Sequence, residues 1–128
     1  MNFVTDTHTL VWYFQADSRI GAKALKAFQE TISKGRIIVP TVVLAEIMYI
    51  ARRGRIALSF NETLNLIQQA NNFEIAPLDV DILLIADRIQ ADLEMHDRLI
   101  VATAKKFRAP LLTKDEDIRA SGVVKTVW

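Results

Sequence analysis

The sequence predicts an α/β fold in which helices flank a mostly parallel central sheet. Short runs of β-branched and other apolar residues alternate along the chain with longer stretches whose apolar residues recur at helical spacing. The chain has 128 residues, of which 51% are hydrophobic and 24% are charged. This length and composition suit one soluble domain with a sizeable core better than two domains. We therefore expect a single domain spanning residues 1–128.

Five short apolar runs are predicted as strands. In chain order they are residues 3–5, 36–39, 73–76, 110–113 and 123–127. The second is largely β-branched, and the third is closed by Pro77, which cannot donate a hydrogen bond to a continuing sheet. Because helical patterns separate most of these runs, parallel pairing is favoured.

The stretches between the strands are predicted as helices from apolar spacing and capping residues. They cover residues 8–14, 21–34, 41–53, 59–70, 79–95 and 96–107. The second helix is expected to bury its larger apolar residues, Leu25, Phe28 and Ile32. Thr41 and Ser59 are the candidate N-caps of the third and fourth helices.

Composition excludes several classes of function. There is no cysteine, which rules out disulfides, thiolate zinc sites and a cysteine nucleophile. The glycines at 21, 35, 54 and 122 build neither a dinucleotide fingerprint nor a phosphate-binding loop, and no serine lies in a nucleophile elbow. His8 and His96 are not at a zinc spacing. Any chemistry must therefore come from carboxylates.

Charge and hydropathy give the expected compartment. The chain carries 16 basic and 15 acidic residues, so its net charge of +1 does not by itself indicate a nucleic-acid binder. Asp6 precedes any apolar segment of a signal peptide, and no apolar run approaches the ~20 residues of a membrane span. We expect a cytoplasmic protein without a membrane partner.

Four acids occupy places where a chain normally avoids charge. Asp6 closes the first apolar run, and Glu46 interrupts the long run that begins at residue 37. Asp97 precedes an apolar helix segment, and Asp115 follows the fourth strand. A lone buried carboxylate costs several kcal/mol. Four of them are explained together if they surround a hard cation.

Each acid also has an ordinary structural explanation. Asp6 can cap the helix that follows, and it can do so while serving a site. Glu46 has only apolar or aromatic neighbours at helical spacing, so it needs a partner, for which Arg98 is one candidate. Asp97 and Asp115 can occupy the first turns of helices, where the dipole favours acids. The common position at sheet ends favours one shared site.

An ordered set of short segments carries a family resemblance. The segments are residues 4–8 (VTDTH), 43–47 (VLAEI), 96–104 (HDRLIVATA) and 111–115 (LLTKD), followed by a last strand at 124–128 (VKTVW). In this order and spacing the chain resembles PIN-domain ribonucleases, specifically the VapC-type toxins of type II toxin–antitoxin pairs. The resemblance covers essentially the whole chain.

The resemblance implies a three-layer sandwich, magnesium-dependent cleavage of RNA, a homodimer and a small antitoxin whose tail blocks the acidic pocket. It makes Asp6, Glu46, Asp97 and Asp115 the catalytic and metal-binding acids, with Mg²⁺ as the ion and Mn²⁺ as its substitute. Among these, Asp6 and Asp97 are predicted as direct ligands. Glu46 and Asp115 are predicted to act through water, to hold a second ion or to orient the attacking water. The predicted supporting residues are Thr7, Arg98, Thr113 and Asp117.

Basic and aromatic residues are candidates for contact with RNA. The basic ones lie at residues 34–36, 52–55 and 105–108, where helix ends also explain them. Trp12, Tyr13 and Tyr49 can stack on bases, although packing in the core or a dimer is their more common role.

Three other functions remain open from the residues. An aspartyl-phosphate phosphatase also places an aspartate after the first strand, but it expects a second acid two residues later, where this chain has His8. A phospho-receiver domain expects a pair of acids at the end of the first strand, where only Asp6 is present. A binding-only or non-toxin PIN scaffold is the third alternative.

Overall fold

A computed structural model describes residues 1–128 and places five strands in one sheet. The strands are β1 (Asn2–Thr5), β2 (Arg36–Pro40), β3 (Phe73–Ala76), β4 (Leu111–Leu112) and β5 (Thr126–Val127). Their spatial order is β3-β2-β1-β4-β5, and every neighbouring pair is parallel. The first strand of the chain is thus the centre of the sheet, and all five strands end at the same edge.

Seven helices flank this sheet, so the predicted α/β architecture is confirmed. They are α1 (Thr7–Phe14), α2 (Ala22–Thr31), α3 (Thr41–Arg52), α4 (Phe60–Gln69), α5 (Val80–Arg88), α6 (Met95–Phe107) and α7 (Glu116–Ser121). None of them combines the length and the apolar character needed to cross a bilayer. The short α7 lies in a stretch to which the sequence pattern assigns no element.

The sheet is buried through its centre. Val4 of β1 lies opposite Ile38 of β2 and Leu111 of β4, and all three side chains are buried. A parallel sheet covered on its faces needs apolar residues at consecutive positions. This requirement explains why the strand sequences are continuous apolar runs rather than alternating ones.

Helix starts are fixed mainly by polar side chains. Asp6 caps α1 by accepting a hydrogen bond from the backbone N–H of Thr9, and Ser59 caps α4 within a complete capping box, as its spacing predicts. The prediction that Thr41 is an N-cap is wrong. Thr41 is the first residue of α3, and its hydroxyl accepts a hydrogen bond from the backbone N–H of Leu78 instead.

The buried face of α2 differs from the predicted one. Small residues on this helix, together with Phe28, face the core, and Ile32 is 62% exposed. The ring of Tyr13 stacks on Phe28 with centroids 4.1 Å apart, which confirms core packing for Tyr13. Because α2 packs closely against the core, alanine is favoured on its buried face. The apolar spacing in the sequence points instead to longer side chains.

The predicted helix at residues 79–95 is wrong, because α5 ends at Arg88 and α6 begins at Met95. Arg98 explains the interruption. Its guanidinium donates hydrogen bonds to the carbonyls of Ala86, Ile89 and Ala91, at 3.1, 2.5 and 2.8 Å. The guanidinium thereby supplies hydrogen bonds to carbonyls at the end of α5, of which that of Ala86 also accepts from the backbone N–H of Ile89.

Candidate active site

One edge of the sheet collects the predicted acids. Asp6 directly follows β1, and Asp115 follows β4, the neighbour of β1. Glu46 lies on α3, which follows the other neighbour, β2, and Asp97 lies in the first turn of α6. In parallel α/β sheets, the carboxyl ends of the strands form the edge at which ligands bind.

A single cavity of about 500 Å³ contains all four acids. Its lining has six carboxylates, which are Asp6, Glu46, Glu94, Asp97, Asp115 and Glu116. Lys114 is the one lysine or arginine among the lining residues. The structure therefore brings the four predicted acids together at one end of the sheet.

Asp6 is held in a fixed orientation by hydrogen bonds to both of its oxygens. Its Oδ1 accepts from the backbone N–H of Thr9 at 3.0 Å, and its Oδ2 accepts from the hydroxyl of Thr113 at 2.6 Å. Burial raises the pKa of Asp6, and these hydrogen bonds oppose the rise. Thr113 Oγ1 also accepts from the backbone N–H of Asp115 at 3.0 Å, so this hydroxyl connects the two acids.

Glu46 is oriented by α1 rather than by a basic residue. The hydroxyl of Thr7 donates to Oε1 of Glu46 at 2.6 Å, and the glutamate side chain is 26% exposed. Nδ1 of His96 lies 3.9 Å from Oε2 of Glu46, while its shorter contact is to Glu94, at 2.8 Å. The partner considered from the sequence, Arg98, instead binds the carbonyls at the end of α5.

Asp97 carries an electrostatic penalty in the cavity. Its pKa is raised to about 7, first by burial and then by repulsion from the other carboxylates of the cavity, Asp115 most strongly. No hydrogen bond contributes to offset these effects. A carboxylate in this position is stabilised by any cation that enters the cavity.

A family model for the PIN domain matches residues 3–123, which is nearly the whole chain. The chain belongs to the PIN-domain family. The expected resemblance is thereby confirmed at the level of the family, and the parallel five-stranded sheet is consistent with it.

Solved structures with the same fold support the assignment to the PIN family. The VapBC2 complex of Rickettsia felis, bound to a promoter DNA fragment, has a TM-score of 0.76 at 14% identity, with 98% of this chain and 97% of that chain covered. A toxin–antitoxin complex from Klebsiella pneumoniae gives 0.67 at 21% identity, with 96% and 95% covered. The Mycobacterium tuberculosis toxin VapC20, which cleaves the sarcin–ricin loop, gives 0.69 at 14% identity, with both chains fully covered. A comparison with curated proteins found no match.

The donor set of this PIN domain fits a hard divalent cation. The cavity offers carboxylate oxygens in excess, without thiolates, which is the chemistry preferred by Mg²⁺ and Mn²⁺. No group of three or more His, Asp or Glu side chains is arranged to hold an ion directly. Mg²⁺ in proteins typically takes one or two carboxylates directly and keeps several waters.

The supporting residues are only partly those that the sequence pattern indicates. Thr7 and Thr113 contact the acids as expected, whereas Arg98 acts on the backbone and Asp117 is exposed outside the cavity lining. The structure therefore brings neither Arg98 nor Asp117 into contact with the four acids.

Two carboxylates of the cavity lining, Glu94 and Glu116, are not predicted from the sequence. Glu94 caps α6 through the backbone N–H of His96, and Glu116 begins α7 beside Asp115. Their only signal in the sequence is closeness to a predicted acid, since both sit in polar surroundings typical of exposed helix starts.

Proposed function

We propose that this PIN-domain protein is a metal-dependent endoribonuclease that acts as the toxin of a type II toxin–antitoxin pair. The observation that carries the proposal is the meeting of Asp6, Glu46, Asp97 and Asp115 in one cavity, where burial and then carboxylate repulsion raise the pKa of Asp97 to about 7. A structural role for the four acids would favour separate hydrogen-bonded or paired positions instead.

We assign different roles to the four acids according to how firmly the protein holds each side chain. Asp6, fixed by Thr9 and Thr113, and Asp97, free of protein donors, are the proposed direct ligands of Mg²⁺ or Mn²⁺. Glu46, positioned by Thr7, is the proposed group that orients a water, with Asp115 acting through a second water. Mg²⁺ bound here would supply Lewis-acid stabilisation of the phosphate and an acidified water.

The rival chemistries fit the site less well. A phosphatase that uses Asp6 as its phospho-accepting aspartate expects a second acid two residues later, where this chain has His8. A binding-only scaffold has no need to keep four carboxylates together at a cost in charge repulsion. The carboxylate cavity therefore favours hydrolysis.

The proposed substrate and partner follow from the solved relatives and from charge. One relative cleaves the sarcin–ricin loop, and others are complexes of a toxin with its antitoxin. A cavity with six carboxylates attracts an arginine or lysine from an antitoxin, because a guanidinium pairs with a carboxylate through two hydrogen bonds. Such a side chain would exclude both the ion and RNA. A second copy of this chain is the other proposed partner.

Cleavage of RNA by the purified protein tests the proposal. We expect cleavage with Mg²⁺ or Mn²⁺ and none with a chelator. Asp6→Asn and Asp97→Asn should each lower the rate by more than about 100-fold, beyond the loss typical of outer-shell partners of a metal. Asp117→Asn is the matched control, because it removes an exposed carboxylate outside the cavity. Undiminished cleavage by either site variant would refute the assigned roles.

Inhibition by a partner tests the toxin role separately. The product of the neighbouring gene should suppress cleavage, and a truncated form without its pocket-reaching segment should bind but inhibit less. If that product neither binds this chain nor protects cells from its expression, the toxin role is wrong even where the nuclease activity is real.

A further inference from the structure

A second cavity, of about 410 Å³, adjoins the acidic one. The two cavities share His8 and Trp12, which lie four residues apart on α1 and therefore on the same face of the helix. The second cavity is otherwise lined by apolar residues, Gln15 and two arginines, Arg19 and Arg55, with no carboxylate. The side chain of Trp12 thus lies between the two cavities, with acids on one side of it and basic residues on the other.

Trp12 is partly exposed and has cationic neighbours. The guanidinium of Arg19 lies 5.0 Å from the centroid of its ring, and Nζ of Lys114 lies 5.9 Å from it. The ring of Trp128 meets Trp12 edge-on with centroids 5.8 Å apart, and the ring of His8 lies tilted at 5.9 Å. A partly exposed indole that is held in place by neighbouring rings can present a fixed flat surface to a ligand.

The cations around Trp12 differ in how free they are. Asp17 binds Arg19 through two side-chain contacts, at 3.0 and 2.7 Å, which fixes its guanidinium and offsets its charge. Arg55 and Lys114 are exposed and take part in none of the salt bridges of the protein. One unpaired cation, Lys114, therefore lines the acidic cavity, and another, Arg55, lines the cavity beside it.

We propose that Trp12, Lys114 and Arg55 form a binding subsite for one unpaired nucleotide of the RNA, next to the bond that is cut. The subsite rests on the proposed nuclease function. The base stacks on Trp12, and the flanking phosphates contact the two free cations. These contacts offset the repulsion that the carboxylates of the first cavity exert on the RNA backbone.

The subsite selects an unpaired nucleotide for a geometric reason. Inside a duplex both faces of a base are covered by its neighbours, so a protein ring cannot stack on it. A loop, bulge or single strand exposes that face. RNA that is fully paired at this nucleotide should therefore bind without help from Trp12.

Binding of a labelled single-stranded oligoribonucleotide, followed by fluorescence anisotropy with Mg²⁺ present, tests the subsite. The measurement uses the Asp97→Asn protein so that the probe stays intact. Adding Trp12→Leu should raise Kd about 10-fold or more, within the range for loss of one stacked base, and Trp12→Phe should retain most of the affinity. Lys114→Gln and Arg55→Gln should each weaken binding several-fold and reduce the slope of log Kd against log salt by about 0.7.

Lys125→Gln provides the matched control. Lys125 is exposed and unpaired, and it precedes β5 at the end of the sheet opposite the acidic cavity. Its variant should bind RNA as the parent does, and annealing the oligonucleotide to its complement should abolish the effect of Trp12→Leu. In the cleavage-competent protein, the Trp12 variant should raise KM with little change in kcat.

The outcomes separate this inference from the nuclease proposal. Unchanged affinity for the Trp12, Lys114 and Arg55 variants overturns the subsite even if the protein cuts RNA. An equal loss for Lys125→Gln also overturns it, since RNA would then lie at the other end of the sheet. If RNA binding depends on Trp12 but the protein never cuts RNA, the subsite proposal stands and the nuclease proposal is refuted. If Trp12→Leu fails to fold, the two cation variants decide.

Discussion

Asp97 illustrates how a single residue can make stability depend on pH. Its pKa is about 7 in the folded, metal-free protein, against an ordinary value of 3.8. Between these two values the unfolded chain has lost the proton and the folded protein still holds it. The free energy of unfolding should therefore fall as pH rises from about 4 to about 7, and level off above that.

Urea unfolding with chelator present checks this prediction. Asp97→Asn should flatten the decline, because an amide cannot ionise. The decline should not disappear entirely, since the pKa of Asp6 is also raised and acts in the same direction. Identical profiles for the wild-type protein and the variant would show that Asp97 does not titrate in this range.

The hydroxyl of Thr113 is expected to support both stability and the site. It is buried, donates to Asp6 and accepts from the backbone of Asp115. Thr113→Val keeps the shape but leaves a buried carboxylate oxygen and a backbone N–H without this partner, which should cost about 1–3 kcal/mol. Thr113→Ser restores the hydroxyl and should recover most of the loss. Chemical denaturation and the rate of RNA cleavage are the two measurements.

The sequence alone identifies some site residues and misses others for a physical reason. Asp6 and Glu46 stand out because each sits against an apolar run, where an unexplained charge is costly. Glu94 and Glu116 enter the same cavity from polar segments, where an acid needs no explanation. Only the packing of α6 and α7 against the sheet edge brings them in, and that packing is not encoded in local spacing.

At the level of the elements, the break between α5 and α6 is expected to depend on Arg98. Its three hydrogen bonds to carbonyls replace a continuing helix and position the first turn of α6, where Asp97 lies. Arg98→Met should lower the free energy of unfolding by about 1.5–3 kcal/mol or more, the range for hydrogen bonds to a charged group. It should also reduce cleavage by displacing Asp97.

Arg119→Met is the matched control for Arg98, because its exposed side chain makes neither a salt bridge nor a hydrogen bond within α7 or beyond it. Urea unfolding and the cleavage assay compare the two variants. Equal effects of the two substitutions would mean that the contacts of Arg98 contribute little.

The same break shows what local patterns cannot reveal about elements. Residues 89–94 contain no glycine or proline and favour a helix, so a continuous helix is the natural prediction. The interruption comes from a side chain that lies nine residues beyond Ile89 in the chain and competes for its carbonyl. By contrast, the start of α4 is predictable because Ser59 and Glu62 encode it within four residues.

For the whole molecule, the exposed apolar face of α5 is the proposed dimer surface. Val80, Leu83 and Leu84 lie at spacings of three and four residues and are 68%, 47% and 51% exposed. Leu84→Glu should therefore convert a dimer into a monomer, as measured by analytical ultracentrifugation, and its Tm should no longer depend on protein concentration. Ile32→Glu, at another exposed apolar residue, should remain dimeric. A wild-type protein that is monomeric at micromolar concentration would contradict the proposal.

The order of the strands also has a consequence for synthesis on the ribosome. β1 is made before the other four strands, yet one of its two neighbours in the sheet, β4, comes from residues 111–112. The hydroxyl that orients Asp6 belongs to Thr113, 107 residues later. A nascent chain therefore cannot assemble the acidic cavity until β4 and Thr113 have emerged from the exit tunnel. A chain that is cut short before Thr113 should therefore lack the acidic cavity, even though it contains β1, β2 and β3.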